Sequence, residues 1–265
     1  MAKYPDTKDI ALDAAPGWLT IWLDRPDVRN ALSQRMADEL RAVFEAVRAD
    51  RTMRGVTIRG RGGTFSSGGD IKGFATALEG GTDAVVAFSR RAGELFHLVN
   101  ELPQVVLALV EGPALAGGLG LACAADIIVA TENAKFALTE TQIGIPPAQI
   151  APLVAQRVGL ALARRIMLTA ARLDATEAKA IGLVDIIVAD APALDLQEAE
   201  LRKNVLACAP GANATTKEIL LATGSLQREE LMDFAAQRFA AAMFSDEGRE
   251  GIAAFLEKRK PRWAG

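Results

Sequence analysis

One histidine is all the sequence contains, and that scarcity limits its chemistry. His97 sits in a helical pattern between Phe96 and Leu98 and reads as structural. A Ser-His-Asp triad would have to use it, and no Gly-x-Ser-x-Gly elbow presents a nucleophile. Cys123 and Cys208, the two cysteines, are far apart in apolar, alanine-rich stretches and read as buried thiols of a reducing compartment. One imidazole and two separated thiols cannot build the usual nitrogen or sulfur shell of zinc, so no metal is expected, an oxygen-only site alone being left open. There is no Gly-x-x-x-x-Gly-Lys-Ser/Thr phosphate loop, and Gly117-Gly-Leu-Gly120 misses the dinucleotide spacing. Neither charge dominates: 30 basic against 33 acidic residues leave −3, too balanced for a nucleic-acid binder driven by phosphate neutralisation. No apolar run approaches the roughly 20 residues of a membrane span. The stretch Met1 to Asp13, with Lys3, Asp6, Lys8 and Asp9, has no secretory apolar region, so a cytoplasmic protein is expected.

What is present is an ordinary globular composition, 50% hydrophobic and 24% charged over 265 residues, enough for one or two domains. Gly17 to Asp24 reads as a strand that Arg25-Pro26-Asp27 ends with turn chemistry. After Ser33, a candidate N-cap, Met36, Leu40, Val43, Phe44 and Val47 recur at helical spacing. Gly55–Gly60 and Val105–Val110 read as further strands, the latter with no polar interruption and hence buried on both faces. Asp83 to Asn100 reads as a helix with Val86, Phe88, Leu95, Phe96 and Val99 marking its apolar positions, and Asp126–Ala130 and Leu183–Val188 complete the strands. The pattern divides the chain into an α/β core over 1–191 and a helical region over 192–265. The latter ends in the basic cluster Glu257-Lys-Arg-Lys-Pro-Arg-Trp263.

Two glycine-rich loops stand out, each after a hydrophobic strand and each opening a helix: Gly62-Gly-Thr-Phe-Ser-Ser-Gly-Gly-Asp-Ile-Lys72 and Gly112-Pro-Ala-Leu-Ala-Gly-Gly-Leu-Gly120. Glycine lets a reacting oxygen approach the backbone, and helix N-termini offer unpaired N–H groups with partial positive charge. Two such loops converging would make an oxyanion hole.

At these loops the sequence resembles the crotonase (enoyl-CoA hydratase/isomerase) superfamily. The resemblance rests on Phe65-Ser-Ser-Gly-Gly-Asp-Ile-Lys72, on Val110 through Ile128, on Ala134-Lys-Phe-Ala-Leu-Thr-Glu140, on Ile143-Gly-Ile-Pro146 and on Glu250 through Arg259, and runs from about Trp18 to Trp263. It implies an α/β spiral of ββα units with a C-terminal helical trimerisation region, a homotrimer or dimer of trimers, and an acyl-CoA thioester substrate with no separate cofactor. It further implies that the backbone N–H groups of Gly69 and Gly117 form the oxyanion hole. By the same resemblance the Ser67 carbonyl meets the adenine, Lys72 and Lys258 meet the CoA phosphates, and Glu140 is the acid/base.

The sequence departs from the family pattern at Gly120, where typical hydratases carry a further glutamate three residues after the oxyanion glycine. One carboxylate fits a Δ3-Δ2 enoyl-CoA isomerase, and it fits equally the hydratases of branched glutaconyl-CoA thioesters, which also have glycine there. Pro147-Ala-Gln-Ile-Ala-Pro152 is more similar to those hydratases, and Gln149 is a candidate to hydrogen-bond a substrate carboxylate or the water. The expected activity is hydration of an α,β-unsaturated CoA thioester, with isomerisation or weak acyl-CoA binding as alternatives. A glutamate restored at Gly120 is expected to clash with whatever fills that volume.

Overall fold

The computed structural model describes residues 4–264, so Lys3, part of the N-terminal reading, lies outside the described residues. The first strand expected from sequence is the second arm of a hairpin: β1 (Ile10–Ala15) and β2 (Trp18–Leu23) pair antiparallel from Ile10↔Leu23 to Ala15↔Trp18. β1 escapes a sequence reading because three of its six residues are alanine and one is Asp13, a poor strand signal that pairing with β2 overrides. Helix α1 (Gln34–Ala49) follows as expected, with the Ser33 Oγ accepting the Met36 N–H at 3.0 Å and all five expected apolar positions buried.

Strands β3 (Gly55–Gly60) and β4 (Val105–Val110) add in parallel to β2. Between them run α2 (Ile71–Glu79) and α3 (Gly81–Asn100). Leu95, Phe96 and Val99 of α3 are buried as expected, but Val86 is exposed and Phe88 packs edge-on against Phe74 of α2, ring centres 5.3 Å apart. His97 lies exposed on α3.

Beyond β4 come β5 (Pro113–Leu115), α4 (Gly117–Cys123), β6 (Ile127–Thr131) and β7 (Lys135–Ala137). Next are α5 (Ala151–Val158), α6 (Leu160–Leu168), β8 (Arg172–Asp174), α7 (Ala175–Ala180) and β9 (Ile186–Val188). The sheets are a six-stranded one in the order β1-β2-β3-β4-β6-β9, parallel except at β1, and a three-stranded one in the order β5-β7-β8. The strands of the second sheet are three residues each, too short for periodicity to announce them.

Helices α8 (Ala191–Ala207), α9 (Pro210–Ala222), α10 (Arg228–Phe244) and α11 (Asp246–Leu256) close the chain. β4 is buried on both faces, as its unbroken apolar run requires: Val106, Ala108 and Val110 join the main core with α1 and α3, while Leu109 packs with Val129 and Leu194 under α8. On α8, Glu198 accepts from Thr57 Oγ1 at 2.6 Å, and Thr57 accepts from Trp18 Nε1 at 2.9 Å, a chain that satisfies these three side chains beneath the helix. Lys217 of α9 reaches Asp126 Oδ2 at 2.5 Å, tying the helical region to the start of β6.

The cysteines divide. Cys123 is buried, its thiol pushed up to about 12 by burial. Cys208 is exposed, contrary to the expectation of two buried thiols, because it caps the C-terminus of α8, where the chain turns out over the surface. No described helix is long and apolar enough to cross a membrane.

Candidate active site

The two glycine loops meet. The first is braced from below by the turn after β2: Ser67 N–H donates to Arg29 O (2.9 Å), Leu32 N–H to Gly68 O (2.8 Å) and Asp70 N–H to Leu32 O (3.1 Å). Arg29 and Asn30 take left-handed backbone conformations there, and the Asn30 amide donates to the carbonyls of Arg61 (2.9 Å) and Thr64 (2.7 Å). Asp70 caps α2 and is paired with Arg25 at 3.3 Å. The second loop is joined to the first through Ser66, whose N–H donates to Pro113 O (3.1 Å) and whose carbonyl accepts from Leu115 N–H (2.9 Å).

This pairing sets Gly69 and Gly117 side by side. A Cβ on Gly117 would fall 3.5 Å from the Gly69 nitrogen, and one on Gly68 would fall 2.7 Å from the Ala116 Cβ and 3.3 Å from the Gly117 nitrogen. Only glycine serves at position 68, which also has a φ of +97°. Among the described residues no backbone acceptor takes the Gly69 N–H, and Gly117, first residue of α4, has no intrahelical acceptor for its own. Ala116 is held at φ 47°, ψ −126°, a strained conformation for a residue with a Cβ, while its N–H is fastened to Ala137 O at 2.9 Å. Sequence reasoning missed this strained alanine, since nothing in its side chain announces it.

The same bond leads to the carboxylate. Ala137 ends β7, and three residues on, Glu140 opens a 3-10 turn (Glu140–Ile143). Glu140 is buried, and its Oε2 has no hydrogen-bond partner. Burial raises its pKa above the ordinary 4.5, opposed only by a bond from its own backbone N–H, with no cation to offset the desolvation. A carboxylate with its pKa raised and one oxygen without a partner holds a proton to higher pH than an ordinary glutamate and is able to take it up and give it back.

The volume beside Gly120 is full. A Cβ there would meet Ile150 Cγ1 at 2.8 Å and Phe96 Cζ at 3.3 Å, both side chains buried. Gln149, next to Ile150, turns its amide to α3, where Nε2 donates to Ser89 Oγ at 3.1 Å. Ser67 is half-buried and Lys72 exposed in the first turn of α2. Lys258 follows α11 with a left-handed φ of 54°, a position where helices usually end on glycine. The tail around it is clamped by Arg259, bound through two nitrogens to Glu250 at 2.7 and 3.1 Å, and Trp263 and Ala264 pack against α8. No hydrogen bond or ion pair among the described residues joins this tail to the glycine loops of the same chain.

The enoyl-CoA hydratase/isomerase family model matches residues 14–265. The chain belongs to the crotonase superfamily. Its fold superposes on that of Pseudomonas aeruginosa AtuE with a TM-score of 0.95 and 48% identity, covering 97% of this chain and 100% of the other. An enoyl-CoA hydratase/isomerase from Marinobacter aquaeolei gives 0.93 and 40% over 97% and 99%. In sequence, the carnitinyl-CoA dehydratase of Proteus mirabilis is 35% identical over 256 residues, 93% of this chain and 95% of that one. Membership confirms the α/β crotonase fold with its C-terminal helices and an enzyme of the hydratase/isomerase type acting on acyl-CoA.

Proposed function

We propose that this crotonase hydrates an α,β-unsaturated CoA thioester, of the branched glutaconyl type, with Glu140 as its acid/base. The observation that carries the reading is the buried Glu140, its Oε2 without a partner, three residues beyond Ala137, whose carbonyl holds the Ala116 N–H just before Gly117. Glu140 takes a proton from water as the oxygen bonds to the β-carbon. The electron pair of the double bond moves toward the thioester, whose oxygen becomes an enolate held by the Gly69 and Gly117 N–H groups. Loss of one such donor typically costs about 2.7–4 kcal/mol of transition-state stabilisation. Glu140 then returns its proton to the α-carbon, so that one water has been added and the carboxylate regenerated.

Hydration is favoured over double-bond migration by relatives whose names denote adding or removing water. The glutaconyl class rests on the Pro147 to Pro152 pattern. Ser67 and Lys72 hold the CoA end, joined by Lys258, whose strained backbone at an exposed helix end is repaid by a ligand contact. Supplied across a subunit contact, Lys258 makes the site complete in a homotrimer or dimer of trimers. The apolar residues left exposed on α10 and α11, Phe239, Phe244, Ile252, Phe255 and Leu256, support such an assembly.

The deciding experiment offers enoyl-, 3-enoyl- and glutaconyl-CoA thioesters in heavy water and follows absorbance and product mass. A hydratase adds hydroxyl at the β-carbon and one deuteron at the α-carbon. An isomerase moves the double bond with no mass of water, and that outcome would replace this reading with the alternative in which Glu140 carries a proton from the α- to the γ-carbon.

A further inference from the structure

The segment that begins with Glu140 ends with Gln149 and Ile150, and both of these are received by one stripe of α3. Ser89, Gly93 and Phe96, spaced four and three residues apart, share a helix face. Ser89 Oγ accepts from the Gln149 amide at 3.1 Å, and Phe96 and Ile150 close together over Gly120. Between them, Gly93 leaves a gap in the helix surface. A Cβ at position 93 would lie 2.3 Å from Gln149 Oε1, 2.8 Å from Cδ and 3.3 Å from Cγ, so the amide occupies the room that any other residue would fill. A glycine in the middle of a 20-residue helix costs roughly 0.5–1 kcal/mol relative to alanine, a loss that needs a compensating use.

We propose that Gly93 and Ser89 are positioning residues, forming a seat in α3 whose occupation by Gln149 latches the 140–150 segment over the active site and keeps Glu140 in place and dry. Both ends of the segment are then tied: Glu140 through the Ala137 end of β7, and Gln149 to the helix. Within it the Glu140 carbonyl accepts from Ile145 N–H at 3.2 Å, so a shift of the far end is passed to the carboxylate-bearing turn. Ile150 caps α5 immediately beyond the latch and is thereby pressed against Gly120. The role of the latch in turnover rests on the reading of Glu140 as acid/base; the latch itself does not.

The test therefore has an arm that needs no substrate. Gly93→Ala evicts only the end of a flexible side chain, so the variant should fold with its melting temperature nearly unchanged. Backbone hydrogen exchange should quicken across 140–150, and Gln149→Ala should do the same. In the Gln149→Ala background, Gly93→Ala should add nothing, because the two substitutions remove one contact. In turnover, each variant should lose about ten- to a hundredfold in kcat with acetyl-CoA affinity unchanged, the pattern of a displaced catalytic group. Ser89→Ala should reproduce a smaller part of both effects. Exchange across 140–150 unchanged in Gly93→Ala, or a Gly93→Ala effect equally large with and without Gln149, would overturn the latch. Faster exchange with undiminished kcat would overturn the positioning of Glu140 by the latch, while the role of the carboxylate itself is read separately from Glu140→Gln.

Discussion

The α-carbon of Gly117 faces the amide nitrogen of Gly69 so closely that a methyl group placed on it would stand 3.5 Å from that nitrogen. Two backbone N–H groups from loops roughly fifty residues apart in sequence lie side by side; the missing side chain of Gly117 leaves the Gly69 nitrogen open, and that of Gly68 leaves the Gly117 nitrogen open.

Gly117→Ala should therefore separate folding from catalysis. Its methyl would meet Leu32 Cδ1 and the Gly69 nitrogen at 3.5 Å, ordinary contact distances, so circular dichroism and melting should remain close to wild type. The same methyl covers the Gly69 donor, and kcat should fall about a hundredfold, the scale of a lost oxyanion donor. Normal turnover in the folded variant would show that these amides do not hold the thioester oxygen.

Glu140→Gln should abolish turnover while preserving thioester binding, and it should also alter the dependence of stability on pH. Burial raises the carboxyl pKa in the folded state, so between the ordinary 4.5 and that raised value the native chain binds more protons than the unfolded chain. Stability is thus lost as pH rises through this window and is fully present below it. Glutamine, neutral throughout, escapes that loss. Denaturant titration should find Glu140→Gln more stable than wild type at neutral pH, with the difference vanishing below 4.5. A constant difference at all pH values would mean that Glu140 ionises in the native protein as freely as in water.

Gly120→Glu should fail to create a two-carboxylate hydratase. The first carbon of the new side chain already meets Ile150 and Phe96, and a buried carboxylate with no cation beside it adds its own penalty. Overpacking alone typically costs about 1–3 kcal/mol, readable as a lowered melting temperature. Trimming Ile150 to Ala in the same chain should recover part of that loss. A folded, more active Gly120→Glu would show the volume to be open in solution.

Phe255→Glu tests the assembly. Phe255 is 83% exposed in the single chain, and sedimentation should show wild type as a trimer or hexamer and the variant as smaller species. Loss of activity at low protein concentration should accompany it if a neighbouring chain supplies Lys258. A monomeric variant with unchanged KM would confine the CoA site to one chain.

Much of this molecule is dictated locally and is readable without coordinates. The Ser33 cap and the apolar stripe from Met36 to Val47 define α1, and the unbroken run Val105–Val110 requires a sheet covered on both sides. The glycine loops, Glu140 and the absence of a carboxylate at Gly120 are identities at positions, which a sequence displays directly. Tertiary structure decided what depends on partners distant in the chain. β1 exists because β2 pairs with it, and the three-residue strands of the second sheet exist because β7 lies between β5 and β8. The exposure of Cys208, the strain at Ala116 and the gap at Gly93 that Gln149 fills have no local signal. A residue's burial, backbone strain and unpaired polar atoms are properties of what surrounds it, and those surroundings arise only when segments far apart in sequence pack together.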